Sequence, residues 1–259
     1  MMKLILFVVG IIASIIGALT GVGGGIVLKT FYDLVNAGGV LAIGFYSTVL
    51  VFTMCIVSVL KQIKSGFNFD WPFLISISIG SIFGGCIGNS LLNYAAKYIP
   101  ENTTKLIQSV ILLITLIFLT IFTNKSSKNK KEANFNWFAA FWVGLFLGAI
   151  SIFLAIGGGP LNVSLLVIMF HFTMKQSSIY SIATVFFSQI TKIISIIATG
   201  QFMKFDPIMI PLLMLAGIIG GYIGTVWNQK ISSAKLEQLY TYFMIALVLI
   251  TGFNVYRFM

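Results

Sequence analysis

The sequence predicts an all-α integral membrane protein made of two homologous repeats, each with about three full spans plus a glycine-broken helical hairpin. Three observations lead there. Hydrophobic residues make up 58% of the 259 residues and charged residues 8%, against about 25% charged in an ordinary soluble domain. So few charges would leave a soluble surface uncovered. Ten apolar segments follow one another along the chain. Finally, the motif Gly21-Val-Gly-Gly-Gly25 returns in the second half of the chain as Ala155-Ile-Gly-Gly-Gly159.

The apolar segments fall at 4–20, 26–36, 40–60, 72–94, 105–122, 137–154, 160–174, 178–198, 207–227 and 236–256. A helix needs about 20 residues to cross roughly 30 Å of hydrocarbon. Three segments in each half meet or approach that length, whereas 26–36 and 160–174 are too short to cross alone. The most polar stretch, Asn124 to Asn136, carries Lys125, Lys128, Lys130 and Lys131 with one acid, Glu132. It divides the chain into a first repeat at 1–123, a linker at 124–136 and a second repeat at 137–259. At the offset that lays Gly21 on Ala155, Ser47 falls on Ser181, Phe52 on Phe186 and Gly66 on Gly200. With a further shift of two positions, Gly84-Gly85 and Gly88 fall near Gly220-Gly221 and Gly224, and Pro72 and Pro207 each precede a fourth segment. Such duplication is the usual plan of a secondary transporter. The first segment reads as retained rather than as a cleaved leader, because Gly17 to Gly25 belongs to the repeated unit.

Topology turns on the glycine breaks. If each closes a hairpin, each half crosses an odd number of times and the repeats are inverted. If the first two segments form one broken helix, each half crosses four times and the repeats are parallel. The positive-inside rule does not arbitrate. With the lysine-rich loop cytoplasmic, both arrangements place nine basic residues inside and five outside. Length favours the hairpin, and with it inverted repeats, because one continuous helix through both segments would reach about 50 Å.

The net charge of +10 would suggest nucleic acid in a soluble protein. Here the lysines lie mostly in short loops beside apolar segments, where anionic lipid and orientation signals account for them. No basic-aromatic recognition stretch is present, so nucleic acid is excluded as a partner. The expected partners are a small-molecule anion and membrane lipid in the cell membrane, and a homodimer is an open assembly. Cys55 and Cys86 both lie in apolar spans without a nearby cation or a Cys-x-x-Cys spacing. They read as small packing residues; the sharper reading is a thiol-redox relay.

Chemistry is expected at the glycine triplets. Three consecutive glycines weaken a helix by about 1 kcal/mol each relative to alanine. A break at membrane depth exposes backbone groups that only protein or a polar cavity can satisfy. After each triplet a short helix begins, at Ile26 and at Pro160, a residue suited to a first helical turn. Its N-terminus presents free N–H donors and roughly half a positive charge. Gly23, Gly24, Gly25, Gly157, Gly158 and Gly159 therefore form candidate floors of one anion site. The plainer role for such glycines is close helix packing.

Two lysines inside apolar segments sharpen the case, since intramembrane charge is costly and tends to be functional. Lys192 lies within 178–198 on a polar stripe with Ser181, Thr184, Ser188 and Ser195, flanked by Gln189 and Thr191. No carboxylate on that segment neutralises it, so a bound anion is its natural partner. Lys29 follows the first triplet; its plainer role is pairing with Asp33 at i+4 or snorkelling. Asn162 and Ser164 could add donors in the second half, and Ser47 and Thr48 in the first. His171 sits near a segment end beside Lys175 and reads as interfacial. Asp33, Asp70 and Asp206 flank segments, while Glu101, Glu132 and Glu237 lie in loops or at span edges. Coupling through a central carboxylate has no support in that pattern. One histidine and no central acids also leave hydrolase chemistry and a metal site without residues, and no cofactor is expected.

The paired motifs, Gly21-Val-Gly-Gly-Gly25 and Ala155-Ile-Gly-Gly-Gly-Pro160, resemble those of the sulfite exporter TauE/SafE family, and the resemblance covers essentially the whole chain. It departs from the family pattern at Thr30, where members often carry proline, and at Ala155, where glycine is usual. The resemblance implies a non-enzymatic transporter of small sulfur-containing anions such as sulfite or an organosulfonate, working by alternating access. An anion channel of similar architecture is the alternative within transport, and the Cys55–Cys86 relay the alternative outside it.

Overall fold

A computed structural model describes residues 2–35, 39–127, 133–156, 158–200 and 205–258. They form ten helices: α1 (Met2–Thr20), α2 (Gly25–Val35), α3 (Val40–Lys64), α4 (Trp71–Tyr98), α5 (Glu101–Ser127), α6 (Trp137–Phe153), α7 (Gly159–Phe170), α8 (Met174–Ala198), α9 (Met209–Lys230) and α10 (Ser233–Phe258). Among the described residues seven helices are long and apolar enough to cross a membrane: α1, α3, α4, α5, α8, α9 and α10. The all-α membrane architecture expected from composition is the one observed.

Helix boundaries follow local chemistry. The Asp70 side chain accepts the Phe73 N–H at the start of α4, with Pro72 in the first turn. Asn136 does the same for α6 through Phe138 and Ala139. Thr173 and Gln176 close a reciprocal capping box on α8, a device that satisfies two otherwise orphaned donors. At the end of α7, His171 turns left-handed with φ 56° and stops the helix after Phe170.

Glycine lets the long helices touch backbone to backbone. A Cβ placed on Gly80, Gly84 or Gly88 of α4 would come within 1.9–2.2 Å of the Phe141, Leu145 or Ala149 carbonyl oxygens of α6. A Cβ on Gly220 or Gly224 of α9 would come within 2.3–2.6 Å of the Ile11 or Ile15 carbonyl oxygens of α1. These are small-residue interfaces of the kind that drive helix association in lipid, where apolar burial supplies no force. The Phe52 ring on α3 and the Phe186 ring on α8 stack with centroids 5.2 Å apart.

The contacts between helix ends fix the path of the chain. At one end of the bundle, Lys3 of α1 pairs with Asp206 ahead of α9. The Asp206 N–H donates to the Tyr46 hydroxyl of α3, Glu101 of α5 lies beside Gly39, and Arg257 of α10 donates to the Leu34 carbonyl of α2. At the other end, the Asp70 N–H donates to the Tyr180 hydroxyl of α8. There the Ser76 hydroxyl of α4 donates to the Trp137 carbonyl of α6, and Gln62 of α3 donates to Asn228 of α9. Gly24 packs against Ala13, more than a turn back along α1. Thus α1 and α2 form a hairpin that begins and finishes at the same end of the bundle, as the length argument favoured. α6 and α7 do likewise from the opposite end, with Phe170 receiving the Asn134 N–H beside the start of α6.

Candidate functional site

Each break is a left-handed turn where glycine has a steric purpose. Gly21 and Gly23 have φ 80° and 73°, and both donate their N–H to the Gly17 carbonyl. In the second break Gly158 and Gly159 have φ 107° and 56°, and Ala155 shares that region at φ 57° although it carries a Cβ. Gly157 lies outside the described residues. The first intrahelical bond of α2 runs from the Leu28 N–H to the Gly24 carbonyl. The N–H groups ahead of it have no carbonyl within the helix to receive them.

The two breaks meet. A Cβ on Gly25 would lie 2.5 Å from the Ile156 carbonyl oxygen and 2.5 Å from the Ser47 hydroxyl, so the first break rests directly on the second and on α3. The Ser181 hydroxyl of α8 donates to the Gly21 carbonyl at 2.6 Å. Gly158 packs on Val185 of the same helix. Helices α3 and α8 therefore hold both breaks between them.

Lys192 reaches into this junction. Its side chain is buried, and its Nζ lies against Gly44, where an added Cβ would stand only 2.6 Å away. Gly44 in turn faces Ala155, and Ser47 is one turn further along α3. Among the described residues no hydrogen bond or ion pair reaches the Lys192 ammonium. A desolvated ammonium costs several kcal/mol unless something pairs with it. One turn earlier, Gln189 is fully buried with neither amide atom bonded. The Ser47 hydroxyl and the Asn162 side-chain amide oxygen are buried and unbonded too.

The remaining candidates are already engaged. Lys29 pairs with Asp33 at 2.8 Å with both side chains buried, which is the plainer of its two roles. Asp33 is thus interior rather than a flanking group facing water. Ser188 donates to the Val185 carbonyl within its own helix, and Thr48 to Gly44. Ser164 shares a hydrogen bond with Tyr240, whose hydroxyl also donates to the Pro160 carbonyl at 2.8 Å and clamps the start of α7. Cys55 is buried on α3, Cys86 exposed on α4, and both are free thiols. Among the described residues no cluster of histidine, cysteine and acid has metal-binding geometry. A groove of about 610 Å³ lies on the outer face of α4 and α6 between Pro72, Ile79, Trp137 and Trp142. Its apolar walls face where acyl chains would lie, away from Lys192.

Sequence reasoning passed over Tyr46, Tyr180 and Tyr240. The first two precede Ser47 and Ser181 directly, so they stand in the register that superposes the triplets, and that register was the available signal. Tyr240 had none, because its partners on α7 lie 76 and 80 residues away.

The family model for the sulfite exporter TauE/SafE matches residues 6–251. The chain belongs to the TauE/SafE family. Like other TauE/SafE proteins it is a multi-pass membrane transporter rather than an enzyme. It is similar to the probable membrane transporter protein YunE of Bacillus subtilis strain 168, with 26% identity over 91% of this chain and 92% of YunE. No solved structure matches it.

Proposed function

We propose that this TauE/SafE transporter carries a small sulfur-containing oxyanion, such as sulfite or an organosulfonate, by alternating access, with the anion held at the junction of the two glycine breaks. The observation that carries this reading is Lys192, a buried ammonium without a partner among the described residues, set beside two converging helix starts. The free ends of α2 and α7 supply N–H donors, and the Gln189 amide nitrogen and the Ser47 hydroxyl are further unbonded groups able to donate. We also propose that the halves are inverted repeats. The α1–α2 hairpin opens from one end of the bundle and the α6–α7 hairpin from the other, and the stacked Phe52 and Phe186 occupy equivalent positions in the two halves. Inverted repeats around a midplane site are the arrangement on which alternating access operates.

The test is Lys192→Ala, reconstituted in proteoliposomes and assayed for sulfite and methanesulfonate flux and for counterflow exchange. Loss of saturable flux in a variant that still inserts and elutes as a homogeneous species is the expected result. Flux equal to that of the natural protein would remove Lys192 from the site.

A further inference from the structure

Among the described residues four charged side chains are buried: Lys29, Asp33, Lys105 and Lys192. Lys105 pairs with Glu101 at 2.8 Å near the start of α5. Lys29 pairs with Asp33 at the same distance on α2. Lys192 alone of the four lacks an opposite charge. The other buried cation of this region, Lys29, carries its own counter-charge in Asp33. The formal charge of the buried junction is therefore +1.

We infer that the site accepts monoanions and discriminates against dianions, and that Asp33 sets this limit by occupying the second cation, Lys29, which lies one turn beyond Gly25. This rests on the anion site proposed above and names the charge class of its substrate. A singly charged oxyanion neutralises Lys192 and takes N–H donors from the helix ends. A doubly charged one brings a second negative charge into a desolvated site that has no formal charge to meet it, a situation that low-dielectric surroundings penalise heavily. The helix ends soften that penalty without removing it, since each contributes only a partial charge that decays within a turn. The sulfur oxyanions divide along this line. Simple alkanesulfonates and hydrogensulfite carry one charge, sulfate and sulfoacetate two.

The experiment compares methanesulfonate with sulfate, permanently singly and doubly charged at neutral pH and both tetrahedral, by calorimetric binding to the purified transporter. The natural protein should bind methanesulfonate at least about tenfold more tightly than sulfate, a ratio equivalent to about 1.4 kcal/mol. Asp33→Asn frees Lys29 and should shrink that ratio by about tenfold or more. The double replacement Lys29→Gln with Asp33→Asn leaves the formal charge at +1 and should restore the ratio. Equal affinity of the natural protein for both anions overturns the inference, as does a ratio unmoved by Asp33→Asn. If Asp33→Asn does not fold, the ratio in the natural protein decides alone. The underlying site fails differently: Lys192→Ala would then bind both anions unchanged, or the natural protein would bind neither.

Discussion

Replacing Gly25 with alanine separates a binding junction from a merely flexible break. In α2 the substitution should stabilise the helix by about 1 kcal/mol, because alanine is the better helix former. The structure opposes that gain. The new Cβ would stand 2.5 Å from the Ile156 carbonyl oxygen and the Ser47 hydroxyl, where ordinary contact begins at 3.4 Å. Ser47 can rotate away; the Ile156 carbonyl is backbone, so the two breaks must part to make room. Overpacking of this kind costs about 1–3 kcal/mol, leaving a net destabilisation of roughly 0–2 kcal/mol after the helix gain. If that net cost falls on the loaded site, it corresponds to a loss of up to about thirtyfold in affinity. The assays are sulfite flux in proteoliposomes and thermal unfolding in detergent, with Gly252→Ala as reference, since an added Cβ there meets only a Leu113 methyl at 4.0 Å. Gly25→Ala should lose flux with little loss of melting temperature, whereas Gly252→Ala should keep both. A Gly25→Ala protein with natural flux and raised stability would refute the claim that the breaks form one site.

Three further outcomes are expected. Ala155→Gly removes the strain of an alanine at φ 57°, worth roughly 1–2 kcal/mol, against about 0.5–1 kcal/mol of added chain entropy; melting should rise slightly. Tyr240→Phe strips the hydroxyl that bonds Pro160 and Ser164 and should cost about 1–3 kcal/mol through the buried groups left unpaired, which detergent melting will read. The Lys3 ammonium, helped by the Ile208 N–H, holds the Asp206 carboxyl below the usual carboxylate range. A group with a lowered folded value stabilises fully above the unfolded value of about 4 and loses that contribution as pH falls through the folded one. Acid melting should therefore fall less steeply for Asp206→Asn than for the natural protein, and identical slopes would contradict the pairing.

Most of the architecture was legible because lipid imposes it. All ten apolar segments correspond to helices, but hydropathy measures depth in the bilayer, not helix length. α3 runs on to Lys64, α4 to Tyr98 and α5 to Ser127, past the ends of the apolar segments, because a chain that has reached the membrane surface can remain helical. α7 ends at Phe170, short of the apolar run, since His171 takes a left-handed turn that hydrophobicity does not encode. Within the candidate site, the Lys29–Asp33 pair was visible as an i,i+4 spacing, and Lys192 as a charge without a neighbouring acid. That Asp33 is interior was not visible, because a half-helix is too short for position along it to report burial. The meeting of Gly25 with Ile156 was equally hidden, as it joins backbone atoms from opposite halves of the chain and no side-chain pattern marks it.

The tyrosine contacts constrain how the protein is made. Tyr46 receives Asp206 from 160 residues downstream, and Tyr180 receives Asp70 from 110 residues upstream. The glycine face of α4 is filled by α6, and that of α9 by α1. During synthesis, then, α4 enters the bilayer before its principal neighbour exists, and lipid must occupy a surface later taken by protein. α1 waits longer still, for almost the entire chain. The junction at Gly25 and Ile156 can close only once the second half has followed the first into the bilayer.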